Sequence, residues 1–135
     1  QFVYKFKGTD KTALCTDAMR GAGMPDGESI LGSLANGQKV IIEDGVAKMP
    51  DRSAFAGSVA TTDRLVRTMI QLADTPLVDA VRMVTLTPAR ILHIDQTKGS
   101  IEAGKDADIV LLDRDLNVRA VWAMGKLVEG TNKLF

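Results

Sequence analysis

Few residues in this chain are placed to do chemistry. Asp17 comes near the end of an apolar run, Thr12-Ala13-Leu14-Cys15-Thr16-Asp17-Ala18-Met19, and glycines follow at positions 21, 23 and 27. The run has the length of one buried strand, and a carboxylate at the carboxyl end of such a strand faces a site built from loops. In an α/β barrel that position is catalytic. Elsewhere it is an ordinary strand-to-loop boundary, and the residues alone leave both roles open. Gly57-Ser58 before a helix is the second candidate, because exposed N–H groups at a helix start can hold a phosphate or a polar substrate group. Simple helix capping competes with that role.

Other chemistries find no support. His93 is the only histidine, and a mononuclear transition-metal site generally needs three protein ligands. The aspartates are scattered over loops, so this chain is not expected to build such a site, and His93 is read as structural or exposed. There is no Gly-x-Ser-x-Gly elbow for a nucleophilic serine. Gly21-Ala22-Gly23 lacks the spacing and the lysine of a phosphate loop and is not framed as a dinucleotide fingerprint.

The elements that must position these groups can be read from periodicity and turn chemistry. Residues 1–10 alternate aromatics with lysines, as in a short strand or the tail of a longer element, and Gly8-Thr9-Asp10-Lys11 reads as a turn. Residues 20–37 are loop-rich. Lys39–Glu43 and Val46–Met49 form a hairpin around Asp44-Gly45, a dipeptide that tolerates φ > 0 at both positions. A helix follows to about Ala73, with Leu65, Val66, Met69, Ile70 and Ala73 on one face; Ser58, Thr61 and Thr62 all qualify as its N-cap. Thr75-Pro76 opens a helix to about Val84, with Leu77, Ala80, Val81 and Val84 inward, and Thr87-Pro88 opens a short one from Ala89 to Leu92. The rest is a β-meander: Ile109–Leu112, Val118–Met124 and Leu127–Glu129. The composition shift near residue 95 places a domain boundary there.

The 135 residues suffice for one ordinary domain with a core. Lys plus Arg equals Asp plus Glu at 17 each, which gives no reason to expect nucleic acid or an anionic membrane as partner. No apolar stretch approaches the ~20 residues of a membrane span, and no signal peptide is visible. Cys15 has no second cysteine to pair with; it is expected as a small buried hydrophobe in a cytoplasmic protein. A first residue other than Met and a lone histidine both lead us to expect a piece of something longer.

Four segments together resemble the C-terminal part of the N-acetylglucosamine-6-phosphate deacetylase family of the amidohydrolase superfamily. They are Leu14–Met19, Phe55-Ala56-Gly57-Ser58, Thr87-Pro88-Ala89-Arg90, and Lys98-Gly99-Ser100-Ile101-Glu102-Ala103-Gly104-Lys105-Asp106-Ala107-Asp108. The last is similar to segments of many amidohydrolases, adenine deaminases and dihydroorotases among them. The Thr-Asp-Ala-Met run joined to Ala-Gly-Ser before a helix is what narrows the resemblance to the deacetylases.

The resemblance implies an α/β fold: the C-terminal part of a metal-dependent TIM barrel over residues 1–95, and strands of the accompanying small β-sandwich domain over 96–135. It implies that Asp17 ends the last barrel strand and acts as general base, then general acid, in hydrolysis of the acetamide of an amino sugar phosphate. A metal-bound water has its pKa lowered to about 7, so one carboxylate can take its proton and later hand it to the leaving amine. Phe55, Ala56, Gly57 and Ser58 match the family's substrate-contacting loop, with main-chain contacts from Ala56 and Gly57. The divalent metal, zinc or iron, takes its glutamate and histidine ligands from earlier barrel strands, as does the histidine that polarises the acetyl carbonyl. None of these falls in this chain. The family's enzymes are commonly homodimers. The isolated chain is therefore expected to be inactive, and to self-associate through faces that its missing neighbours would cover. Two other readings stay open on sequence: another amidohydrolase, such as a nucleobase deaminase or a cyclic amide hydrolase, and a non-catalytic structural module.

Overall fold

The computed structural model describes residues 1–128. In chain order the elements are α1 (Phe2–Lys7), β1 (Gly27–Leu31), β2 (Gln38–Glu43), β3 (Val46–Lys48), α2 (Thr62–Ala73), α3 (Leu77–Val84), α4 (Leu86–Ile91), β4 (Ile109–Leu112), β5 (Val118–Ala123) and β6 (Lys126–Leu127). They fall into two units. One is Cys15–Leu65; the other joins Gln1–Leu14 to the chain from Val66 onward.

In the Cys15–Leu65 unit, β1, β2 and β3 form an antiparallel sheet in that order. Val40 and Ile42 of β2 point inward at the two-residue period of a strand and are buried. Asp44 (φ 54) and Gly45 (φ 71) both take the left-handed conformation that a tight hairpin demands, as expected. β1 lies inside the segment read from sequence as loop. Its ladder runs from Gly27↔Ile42 to Leu31↔Gln38, and this backbone pairing on an edge strand overrides the poor strand propensity of Gly27, Glu28 and Ser29. Met19, Val40, Ile42, Ala47, Ala56 and Val59 form the core, with Leu31 and Met49 packed on it.

The run Thr12–Met19 does not form the expected strand. It has no regular structure beyond a single parallel bridge between Ala18 and Ser58. A parallel strand needs hydrogen-bonded neighbours along its length, and no ladder partner runs beside it among the described residues. Cys15 is consequently exposed instead of buried.

In the other unit the N-terminal residues are helical. Phe2 and Phe6 are four residues apart, so the alternating pattern also fits one turn of helix, and α1 brings their rings to a centroid distance of 4.6 Å. The hydroxyl of Tyr4 donates to Asp79 of α3 at 2.7 Å. After a 3-10 turn at Thr9–Lys11, the Thr87 hydroxyl of α4 donates to the Thr9 carbonyl at 2.8 Å, and Arg90 pairs with Asp10 at 3.2 Å. The Leu14 N–H donates to the Met83 carbonyl at 2.9 Å.

α2 starts after Thr61, whose carbonyl receives the Leu65 N–H, and it buries the expected face through Val66 and Ala73. α3 buries Ala80 and Met83, while Leu77, expected inward, begins the helix and is 48% exposed. α4 begins at Leu86, before the expected Ala89, with Thr85 at its cap; the Thr87 hydroxyl is engaged by Thr9 and does not cap. β4, β5 and β6 form the expected antiparallel meander. Met124 (φ 49) and Gly125 (φ 78) make its second turn, and Glu129 lies outside the described residues.

Candidate functional site

Asp17 and the Phe55–Ser58 segment belong to the same unit, and the structure brings them together through the main chain. The Met19 N–H donates to the Ser58 carbonyl at 2.8 Å, and Ala18 and Ser58 are bridge partners. Asp17 is therefore one residue from the bridge. It is exposed and takes a left-handed φ of 46°, a conformation that Asp adopts more readily than most L-residues but that is uncommon for any of them.

The Phe55–Ser58 segment is held from below. Ala56 is 3% exposed, and its N–H donates to the Ala47 carbonyl of β3 at 2.9 Å. Phe55 bridges Lys48 and leaves its ring 78% exposed. Gly57 has φ 88° and is exposed; a Cβ there would stand 3.4 Å from both Met19 Cβ and Leu31 Cδ1. The chain thus presents Gly57 main chain outward over a packed floor of Met19 and Leu31, where a ligand could approach closely. The Ser58 hydroxyl accepts the Ala60 N–H at 3.1 Å, so it closes a local turn ahead of α2 and is not the helix cap.

The turn before Phe55 is braced by charge. Glu43 accepts two bonds from Arg52, Nε at 2.9 Å and Nη2 at 3.0 Å, and one from Lys48 Nζ at 3.0 Å. The Arg52 and Lys48 hydrogen bonds lower the Glu43 carboxyl to about 2. Asp51 accepts from the Ser53 N–H and hydroxyl, and this lowers its carboxyl too. The Met49 N–H to Ala54 carbonyl bond, at 2.9 Å, closes the loop.

No group of three or more His, Cys, Asp or Glu residues able to hold a metal occurs among the described residues. His93 follows α4, exposed, with φ 58°. The described residues of this chain therefore do not fit a resident metal ion by themselves. No helix among the described residues is long and apolar enough to cross a membrane. Sequence reasoning missed Met19 and Leu31 as contributors to the site. Met19 was visible in the apolar run, but its partner under Gly57 sits on β1, a strand the sequence concealed.

Residues 9–128 match the amidohydrolase family. The chain belongs to the amidohydrolase family. A protein of Escherichia coli (strain K12), provisionally named N-acetylgalactosamine-6-phosphate deacetylase, is 38% identical over 118 residues, covering 87% of this chain and 68% of the relative. The N-acetylglucosamine-6-phosphate deacetylase of Lysinibacillus sphaericus is 36% identical over 132 residues, 98% of this chain and 33% of that protein. The crystal structure of the N-acetylglucosamine-6-phosphate deacetylase from Pasteurella multocida superimposes with a TM-score of 0.83 at 28% identity, covering 94% of this chain and 32% of that one. This amidohydrolase chain thus spans about a third of the length of the last two.

Proposed function

We propose that this chain is the C-terminal part of an amino sugar phosphate deacetylase, which hydrolyses the acetamide of N-acetylglucosamine 6-phosphate to glucosamine 6-phosphate and acetate. Residues 1–95 then carry the hairpin and helices of a TIM barrel, with Thr12–Met19 becoming its last strand only when earlier barrel strands pair with it, and 96–135 the strands of a small β-sandwich domain. Asp17 is the general base and then the general acid. Phe55, Ala56, Gly57 and Ser58 contact the substrate. The complete enzyme is a cytoplasmic homodimer whose divalent metal, zinc or iron, is held by residues outside this chain and supplies the activated water.

The observation that supports the reading is the Ala18–Ser58 bridge, which pairs the residue after Asp17 with the residue after Gly57. A residue that serves one proton to two acceptors in turn must stay within hydrogen-bond reach of both. The bridge offers that constancy. Asp17 receives a proton from the attacking water, and the same carboxylic acid then releases it to the amine as the C–N bond breaks. The Gly57 main chain, exposed above Met19 and Leu31, contacts the sugar.

The test is Asp17→Asn in the complete enzyme, with released acetate and glucosamine 6-phosphate as the readout. The variant keeps its fold and metal content and loses turnover. Unchanged turnover removes Asp17 from the mechanism. The name of the 38% identical relative favours a second substrate, the galacto epimer, and running N-acetylgalactosamine 6-phosphate in the same assay ranks the two by kcat/KM.

A further inference from the structure

We propose that Met19 is a positioning residue that fixes the backbone turn at Asp17 beside the Ala56–Ser58 loop, and with it the direction of the carboxylate. The inference rests on the role proposed above for Asp17.

In an extended chain, residues two apart share a face. Asp17 and Met19 are two apart, yet Asp17 is exposed and Met19 is buried at 9% exposure. The left-handed φ of Asp17 breaks the alternation. It turns the carboxylate away from the core while Met19 drops into it, among Val40, Ile42, Ala47, Ala56 and Val59.

Met19 then grips the loop twice. Its N–H donates to the Ser58 carbonyl at 2.8 Å. Its Cβ and Cγ lie 3.4 and 3.6 Å from where a Gly57 Cβ would stand, so its side chain forms the floor beneath Gly57. The chain bends outward just ahead of this anchored residue, so the place of the carboxylate depends on how firmly Met19 is seated. Met19 reaches no outward-facing position itself; it acts through Asp17 and Gly57.

The experiment uses the complete enzyme with its metal and N-acetylglucosamine 6-phosphate, comparing Met19→Ala, Met19→Leu and Asp17→Asn. Misplacing a reacting group by about an ångström can cost roughly a hundredfold in rate. Met19→Ala is expected to lower kcat per folded molecule by about 10- to 100-fold at unchanged metal content. Met19→Leu refills the volume and is expected to restore kcat. If Met19→Ala lowers the melting temperature but leaves kcat per folded molecule as in the parent, Met19 is only core and the proposal is overturned. Failure of Met19→Leu to restore kcat overturns it too. Should Met19→Ala not fold, Met19→Val shortens the same side chain, with the same two outcomes. Asp17→Asn separates the levels. Full turnover there defeats the role of Asp17 itself, whereas lost turnover beside an unaffected Met19→Ala defeats only the positioning.

Discussion

Replacing Gly57 by alanine tests the local geometry without needing catalysis. Gly57 sits at φ 88°, where a Cβ costs about 1–2 kcal/mol. The added atom would meet Met19 Cβ and Leu31 Cδ1 at 3.4 Å, the near edge of ordinary contact, so the clash is minor beside the backbone term. Alanine also restricts the unfolded chain, which returns about 0.4–1 kcal/mol. The net loss is about 1 kcal/mol, or roughly a fivefold increase in local opening. Amide exchange reads it directly, because the Met19 N–H is bonded to the Ser58 carbonyl. The Met19 amide should exchange roughly fivefold faster in Gly57→Ala, while the Leu14 amide, bonded to the Met83 carbonyl, keeps its rate. A Met19 amide as protected as in the parent, in a folded variant, would refute the reasoning. Equal acceleration at Leu14 would show a global effect and refute it as well.

At Asp17 the left-handed φ ranks substitutions by backbone tolerance: Asp17→Val should destabilise by about 1–2 kcal/mol, while Asp17→Asn and Asp17→Gly stay close to the parent in urea unfolding. A Val variant as stable as Asn would contradict the left-handed assignment. Glu43, held at about 2 by Arg52 and Lys48, has a folded-state value below its unfolded one. Its contribution is therefore complete above the ordinary glutamate range near 4.5 and fades as pH falls through about 2. Carboxyl NMR should show Glu43 titrating near 2 in the folded chain, and a midpoint near 4.5 would break the prediction. The 135-residue chain alone should release no acetate from N-acetylglucosamine 6-phosphate. With Phe2 76% and Ile101 85% exposed, it should also self-associate; turnover at the rate of whole enzymes, or a clean monomer in light scattering, would count against these expectations.

Local signals were legible where one turn or one face decides the outcome. Asp44-Gly45 set a hairpin because both residues accept φ > 0, and the α2 face followed from helical spacing. Non-local signals were not. Gly27–Leu31 carries glycine, glutamate and serine and reads as loop; only pairing with β2 makes it a strand. Thr12–Met19 has the converse problem: its composition promises a buried strand, but strand formation depends on neighbours, and here it has one bridge. Within the site, Asp17 and Phe55–Ser58 were named from sequence. The left-handed turn at Asp17 was not, because nothing in Thr-Asp-Ala-Met announces it.

The bonds tying Gln1–Leu14 to α3 and α4 bear on the order in which the chain folds. Tyr4 to Asp79, Thr9 to Thr87 and Asp10 to Arg90 join residues 75 to 80 positions apart. Closing loops of that length in an unfolded chain carries an entropic cost that grows with the logarithm of length. Cys15–Leu65 lies entirely inside those loops. Within this chain its partners all emerge before α3 and α4 do, whereas α1 must wait for α3 to leave the ribosome. Once Cys15–Leu65 is compact, its ends are tethered and the remaining loop is effectively shorter. Slowing translation after residue 65 should thus favour correct assembly, and a lesion in the β2–β3 hairpin should delay docking of a helix far from it in the chain.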